Sequence, residues 1–537
     1  MHIVLVLLAV CAVPPEPADT VIVCPRSLVA QLQPWIVHRQ TQGHRLMLVS
    51  SELSAEGIRA VIRETAQSGA LKYVVLVGDA EPTEHDIHVR ARSTPTHRIQ
   101  AKVNIHWGSE PVIATDNWYA DLDDDQIPDV AIGRITADDP DELARIVRRI
   151  LAYETVPDYG NWRRQINFVA GVGGFGVLVD AILQMATKKF LTDGIPPAYN
   201  TSMTHASWQS PYCPDPRRFR DMTLGRLNEG CLFWVYMGHG HRRYLDHVRV
   251  PGGAFPIMDI DDARELRSAR GSPIALLLAC YAGAFDQPSD CLAEEMLRAP
   301  GGPVAVICGS RVTMPYGMAV MSDAMMDELF QQKRNTLGEV QLHAKRRMVS
   351  DDQGTANRQL LDAIASAVSP SADQLREERI EHLSLFNLIG DPMLVIRHPE
   401  EIDLQCESSI TAGERLTVSG RCTFAGRAVI ELVCRRDRTK TPPPARANFI
   451  PTDEFLRSFQ EAYRQANDRR WASQILTIDG GEFQTELAVP PEARGTCYVR
   501  AFVDGPDGFA LGATRVSVRR PRVETAAVEK PKAGSVR

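Results

Sequence analysis

The sequence has 537 residues, with 60 Lys and Arg against 67 Asp and Glu for a formal charge of −7. Hydrophobic residues make up 44% and charged residues 24%, which excludes a disordered, collagenous or coiled-coil chain and leaves room for three or four domains. The balance of charge lacks the basic excess of a nucleic-acid binder, so no nucleic acid is expected among the partners.

The first continuous apolar run, Ile3 to Val13, is too short to span a bilayer and fits the h-region of a secretory signal, with Cys11-Ala12-Val13-Pro14-Pro15 as the processing zone. Residues 1–18 are therefore read as a signal peptide, which implies a secreted, periplasmic or cell-surface protein and no stable transmembrane segment after its removal. Only His2 precedes the run, in place of the usual Lys or Arg. Val10 stands where a lipoprotein box wants a small residue, so lipidation at Cys11 is the lesser reading. The 11 cysteines include no CxxC pair, which argues against zinc-ribbon and thioredoxin-like sites and makes most of them buried fillers.

From about residue 20 to 400, short β-rich runs alternate with helical periodicity, the pattern of a parallel α/β sheet. Val21 to Cys24, Arg45 to Val49 and Tyr73 to Val77 read as buried strands, with Ile58, Val61 and Ile62 on the inner face of a helix before the third. Val130 to Ile132 is a fourth. Asp139-Pro140-Asp141-Glu142 then supplies an N-cap, a Pro at the first helical position and a Glu three residues on, opening a helix whose Leu143, Ile146, Val147 and Ile150 share a face. A second set of runs, Ile166 to Ala170, Leu232 to Tyr236, Ile274 to Ala279 and Val304 to Cys308, predicts a second sheet region. The expected organisation is an N-terminal α/β subdomain over 19–160 and a catalytic α/β subdomain over 161–398.

After His398, alternating strands such as Arg415 to Ser419, Ala428 to Cys434, Tyr498 to Val503 and Thr514 to Val518 predict an antiparallel β-sandwich over 399–520. A polar helical stretch, Asp453 to Arg469, interrupts it. Cys406, Cys422, Cys434 and Cys497 lie in this region and would form one or two bridges in an exported protein. Residues 521–537 are charged and apolar-poor, and read as a disordered tail.

Two predicted strands end in reactive groups. Leu232 to Tyr236 runs into Met237-Gly238-His239-Gly240, and Ile274 to Ala279 runs into Cys280. In open α/β sheets ligands bind at the carboxyl ends of strands. A thiol beside an imidazole supplies a thiolate nucleophile, and glycines flanking His239 let backbone N–H groups approach a developing oxyanion.

Tyr236-x-Gly238-His239-Gly240 followed by Ala279-Cys280-x-x-Gly283 resembles the His-Gly and Ala-Cys signature of the caspase-like (clan CD) cysteine peptidases, in particular the gingipain family, C25. Similar to that family are also Val77-Gly78-Asp79, Asp116-x-x-Tyr119 leading to Ile132-Gly133-Arg134, Tyr153-Glu154, Leu292-Ala293-Glu294 and Gly390-Asp391-Pro392. The resemblance covers about residues 20 to 398 and implies a caspase/gingipain-like α/β catalytic region of parallel-sheet subdomains followed by an immunoglobulin-like β-sandwich. It assigns Cys280 as nucleophile, His239 as general base, and the backbone N–H groups of Gly240 and Cys280 as the oxyanion hole. Where the family carries an acid that orients the His, the Gly-rich turn here holds Val172, so a dyad is expected. The first strand follows closely on the apolar run, and a gingipain-like pro-segment is not expected. Asp180 and Tyr316 match the family's Arg/Lys-specificity positions, as the acid and the aromatic wall of the first specificity pocket. A carboxylate there suits a guanidinium fork.

Asp121-x-Asp123-x-Asp125 with Asp129 resembles a calcium loop, but Gln126 replaces the turn glycine of an EF-hand and no Glu stands at the twelfth position, so a solvated acidic turn is the leading reading and calcium the lesser one. No cofactor is required, and a structural calcium at this loop is the one metal considered. His239-x-His241 finds no convincing third ligand for zinc. The sequence therefore describes an exported cysteine endopeptidase cleaving after Arg or Lys in protein or peptide substrates. Its alternatives are a catalytically inactive binding or assembly protein on the same fold, supported by the missing orienting acid, and a sortase-like transpeptidase using the same Cys.

Overall fold

Runs of Val, Ile and Leu become buried strands in the computed structural model, which describes residues 16–80, 91–171, 194–350, 356–369, 372–444 and 446–521. Residues 1–15, which hold most of the expected signal peptide and Cys11, residues 172–193, which hold Val172 and Asp180, and residues 522–537 lie outside the described residues. Ten strands form the main sheet: β1 (Thr20–Cys24), β2 (Leu46–Ser50), β3 (Tyr73–Val77), β4 (Ala131–Ile135), β5 (Gln165–Ala170), β6 (Asn200–His205), β7 (Phe233–Met237), β8 (Ile274–Leu278), β9 (Ala305–Gly309) and β10 (Phe386–Ile389). Their spatial order is β2-β1-β3-β4-β10-β9-β8-β7-β5-β6. Neighbours run parallel except β10 and β9, which are antiparallel. Two parallel halves of opposite direction thus join through β10 into one sheet. Strand β2, expected as buried, leaves Met47 and Leu48 exposed, because it pairs with β1 alone at the sheet edge.

Several residues carrying the family resemblance tie this sheet together. Arg134 on β4 is wholly buried. Its Nε and Nη2 donate to the two Asp116 oxygens at 2.7 Å each, and its Nη1 donates to the carbonyls of Gly78 at 3.1 Å and Thr94 at 2.7 Å. Tyr119 donates its hydroxyl to Pro95 O at 2.6 Å. Helix α1 (Val29–Thr41) brings Arg39 to both Glu154 oxygens, at 2.8 and 2.9 Å, and to Asp391 at 2.6 Å. Glu154 ends helix α2 (Pro140–Thr155), which Asp139 caps by accepting from the Glu142 N–H at 2.8 Å. The Leu143, Ile146, Val147 and Ile150 face is buried, as its spacing predicts.

The chain divides into two compact units. One takes in the chain to Pro196, Asn200–His398 and Ala445–Tyr463; the other takes in Pro197–Tyr199, Pro399–Pro444 and Arg464 onward. In the second unit, β11 (Gly426–Cys434), β12 (Arg470–Ile478), β13 (Gly495–Asp504) and β14 (Phe509–Arg519) form the body of an antiparallel sheet. A three-stranded antiparallel sheet of Asp403–Cys406, Arg415–Cys422 and Gly481–Ala488 faces it. Leu416, Val418 and Leu487 of the smaller sheet share one core with Ile430, Leu432 and Val499 of the larger, as in a sandwich. The predicted polar helix is present at Asp453–Asn467. The stretch before it belongs to the first unit, where Arg446 donates to the carbonyls of Trp208 and Ser210 at 3.1 and 2.6 Å.

Candidate active site

In the second half of the sheet the order β9-β8-β7-β5-β6 reverses between β5 and β7, since the chain goes from β5 outward to β6 and then back to β7. Crevices at the carboxyl ends of strands open at such a switch point. His239 lies two residues beyond β7 and Cys280 two residues beyond β8. The two strands are parallel neighbours in the register Leu278 with Met237, so the half-buried His239 and Cys280 leave adjacent strands at one level. The Gly238 N–H donates to Leu278 O at 3.2 Å across the same strand ends.

The glycines of both motifs are required by close approach. A Cβ on Gly240 would lie 2.7 Å from Ala279 Cβ and 2.8 Å from Cys280 O, and one on Gly283 would lie 2.2 Å from Cys308 Sγ. Gly240 therefore packs directly on the Ala279–Cys280 backbone, and Gly283 lets the turn after Cys280 settle on β9. The main chain of His239 is held by Tyr236, a fully buried residue whose hydroxyl donates to His239 O at 2.6 Å and accepts from the Asp246 N–H at 3.4 Å. Tyr281, immediately after Cys280, takes a left-handed φ of 58°, an uncommon conformation for a bulky residue and one that clusters at functional sites.

Thr313, beyond the end of β9, closes the other side of Cys280. Its N–H donates to Cys280 Sγ at 3.4 Å, and its hydroxyl lies 3.8 Å from the same sulfur. A chain of charges flanks Tyr281. Arg311 donates to both Asp286 oxygens, at 2.9 and 2.7 Å, and sits 3.0 Å from Glu110, which also pairs with Arg242. Burial would raise the Asp286 carboxyl, but the Arg311 guanidinium outweighs it and holds Asp286 below the usual range. Arg242 lies 5.5 Å over the Tyr281 ring. The exposed His241 stacks on Tyr244 at 4.7 Å.

Tyr316 opens helix α3 (Pro315–Phe330), three residues past Thr313. Its hydroxyl donates to Asp362 at 2.6 Å and accepts from Arg379 at 2.6 Å; burial and Asp362 push it up to about 12. Asp180, its expected partner in the pocket, falls outside the described residues.

On the acidic turn, Asp121, Asp123 and Asp129 each bring an oxygen within 4.8 Å of the others, and Asp125 is not part of that group. Asp121 accepts from the N–H groups of Asp124 and Gln126 at 2.9 and 3.1 Å, and Asp125 from that of Ile127 at 2.7 Å. Gln126, in place of a glycine, adopts a left-handed φ of 72°. Asp79, Asp290 and Glu294 form a second carboxylate group, with one oxygen of each within 4.8 Å of the others. Burial pushes Glu294 well up, and Asp79 adds to the effect. In the sequence Asp79 and Glu294 stand in separate motifs with nothing to join them, and no local pattern marks Thr313 or Tyr281. Proximity to the end of β9 was the available signal for Thr313.

Residues 13–397 match the model of peptidase family C25. The chain belongs to this family. Among curated relatives, Lys-gingipain HG66 of Porphyromonas gingivalis is 21% identical over 296 residues, taking in 52% of this chain and 15% of that protein, and Lys-gingipain of strain ATCC 33277 matches to the same extent. The chain thus spans about 15% of the length of these relatives. The crystal structure of the Arg-specific cysteine proteinase gingipain R superposes with a TM-score of 0.52 at 16% identity, covering 94% of this chain and 99% of that one. A complex of Porphyromonas gingivalis RgpB pro- and mature domains gives 0.52 at 16% identity over 93% and 100%. At these identities the likeness establishes a shared fold. No helix among the described residues is long and apolar enough to cross a membrane.

Proposed function

We propose that this C25 chain is an exported cysteine endopeptidase that cleaves after Arg or Lys by way of an acyl-enzyme on Cys280. The observation that carries the reading is the parallel register of β7 and β8, with Gly240 seated on the Cys280 backbone. In the first step Cys280 Sγ attacks the scissile carbonyl carbon while His239 takes the thiol proton. The oxyanion of the tetrahedral intermediate accepts from the Gly240 and Cys280 N–H groups. Collapse expels the amine, which leaves with the proton from His239, and water activated by the same imidazole then hydrolyses the thioester. Asp180 and Tyr316 are the proposed pocket for the basic side chain, and the sandwich of the second unit is the proposed immunoglobulin-like module. The supporting test is hydrolysis of fluorogenic peptides with Arg, Lys, Asp or Leu before the scissile bond. Arg and Lys peptides should be turned over and the other two left intact; preference for an acidic or apolar residue contradicts the basic pocket.

Tyr236→Phe removes the hydroxyl that pins His239 O. The expected result is a fall of roughly tenfold in kcat with KM unchanged, the scale of one hydrogen bond. Unchanged kcat would separate the Tyr236 hydroxyl from catalysis.

A structural calcium on Asp121, Asp123 and Asp129 belongs to the same proposal, since three carboxylate oxygens around one centre suit a hard cation. A chelator should then lower Tm by a few degrees, and added calcium should restore it. A flat chelator titration leaves the turn held by its backbone hydrogen bonds alone.

A further inference from the structure

The second unit carries four thiols, Cys406, Cys422, Cys434 and Cys497, all free in this structure. Sheet register separates them. Cys406 faces Val418 across its ladder and Cys422 faces Gly481. The position opposite Cys422 on the Cys406 strand is residue 402 by continuation of that ladder, four residues away, or roughly 13 Å at the strand rise. That is beyond the reach of a disulfide.

Cys434, the last residue of β11, instead faces Cys497 of β13 directly. The hydrogen bonds define the kind of pair. The Arg435 N–H donates to Thr496 O, so the adjacent Arg435 and Thr496 form a hydrogen-bonded pair. The Cys434 N–H turns away to Arg469 O on the chain entering β12. Hydrogen-bonded and non-hydrogen-bonded pairs alternate along an antiparallel ladder, which makes Cys434 and Cys497 a non-hydrogen-bonded pair, with Cα atoms about 4.5 Å apart and both side chains on one face. Disulfides span Cα separations of about 4.4 to 6.8 Å. Both residues are buried in the sandwich core.

We infer that Cys434 and Cys497 form a cross-strand disulfide when the protein meets a disulfide-bearing oxidant. In the balanced reaction, one cysteine thiolate attacks the oxidant's disulfide and releases one of its thiols. The second cysteine thiolate then displaces the other, so the two protein thiols lose two protons and two electrons and the oxidant leaves as two thiols. Burial pushes Cys497 up to about 12 and raises Cys434 as well, so the folded pair reacts slowly. The bond forms while β11 and β13 are still assembling, and the finished core then shields it from reductants. This inference is independent of the peptidase reading.

The test refolds the full chain in buffers of oxidised or reduced glutathione, alkylates remaining thiols under denaturant, and maps a non-reduced digest by mass spectrometry. In oxidised glutathione a linked peptide pair containing Cys434 and Cys497 should appear, two hydrogens lighter than the separate peptides, and it should vanish on reduction. The double variant Cys406→Ser, Cys422→Ser should keep the link, and Cys434→Ser should lose it and leave Cys497 alkylated. The linked form should also melt several degrees above the reduced form. Full alkylation of both cysteines after oxidative refolding, mixed disulfides with glutathione, or links to other cysteines would each overturn the inference.

Discussion

Cys280→Ala should reduce peptide hydrolysis by about ten-thousandfold or more, since removing a covalent nucleophile leaves only binding and oxyanion stabilisation. The fold should survive the change. Cys280 is half-buried, and the partners of its sulfur are the backbone and hydroxyl of Thr313, so the melting temperature should move little. His239→Ala should bring a comparable loss of hydrolysis because the thiol then lacks a proton acceptor. A variant that retained substantial hydrolysis at position 280 would transfer the nucleophile elsewhere and remove the basis of the mechanism.

Arg134→Ala should be the most damaging change to stability among the residues the family resemblance singles out. The guanidinium is fully enclosed, holds Asp116 through two bonds, and ties β4 to the carbonyls of Gly78 and Thr94. Removing one member of a buried ion pair leaves the other charge uncompensated and costs about 3 to 5 kcal/mol. Asp116 would keep the Thr96 hydroxyl at 2.8 Å, which does not neutralise a carboxylate. Denaturant unfolding of the purified variant gives the measurement. A loss under about 1 kcal/mol would mean that water or rearrangement replaces the arginine. Arg134→Lys should recover only part of the loss, because an ammonium cannot match the two-pronged contact.

The strand ends that carry His239 and Cys280 were legible because buried apolar runs stop abruptly at Gly-His and Ala-Cys, a local pattern. The pairing of the two strand ends is an inference in the sequence, and in the structure β7 and β8 are parallel neighbours. What the sequence concealed is non-local. Strand β10 is short and follows the helix Leu375–Leu385, whose surface is rich in charge, so nothing nearby marks it as the join between the two parallel halves. The exposure of Met47 and Leu48 follows from β2 having a single neighbour, which hydrophobicity alone does not register. Thr313 reaches the Cys280 sulfur from a different strand end, and Asp79 meets Glu294 across more than half of the first unit's sequence. Asp453 to Arg469 reads as an interruption of the sandwich, yet the stretch 445–463 groups with the first unit, where Arg446 and Phe449 find partners around Trp208.

The central claim is that Cys280 is a nucleophile activated by His239. Its most direct test is to incubate the purified protein with a thiol-reactive peptide ketone bearing Arg at the cleavage position, then measure intact mass and map the adduct. The account predicts one adduct per chain on Cys280, prevented by prior substrate and sharply slowed in His239→Ala. An unlabelled Cys280, or labelling at equal rates with and without His239, would contradict it.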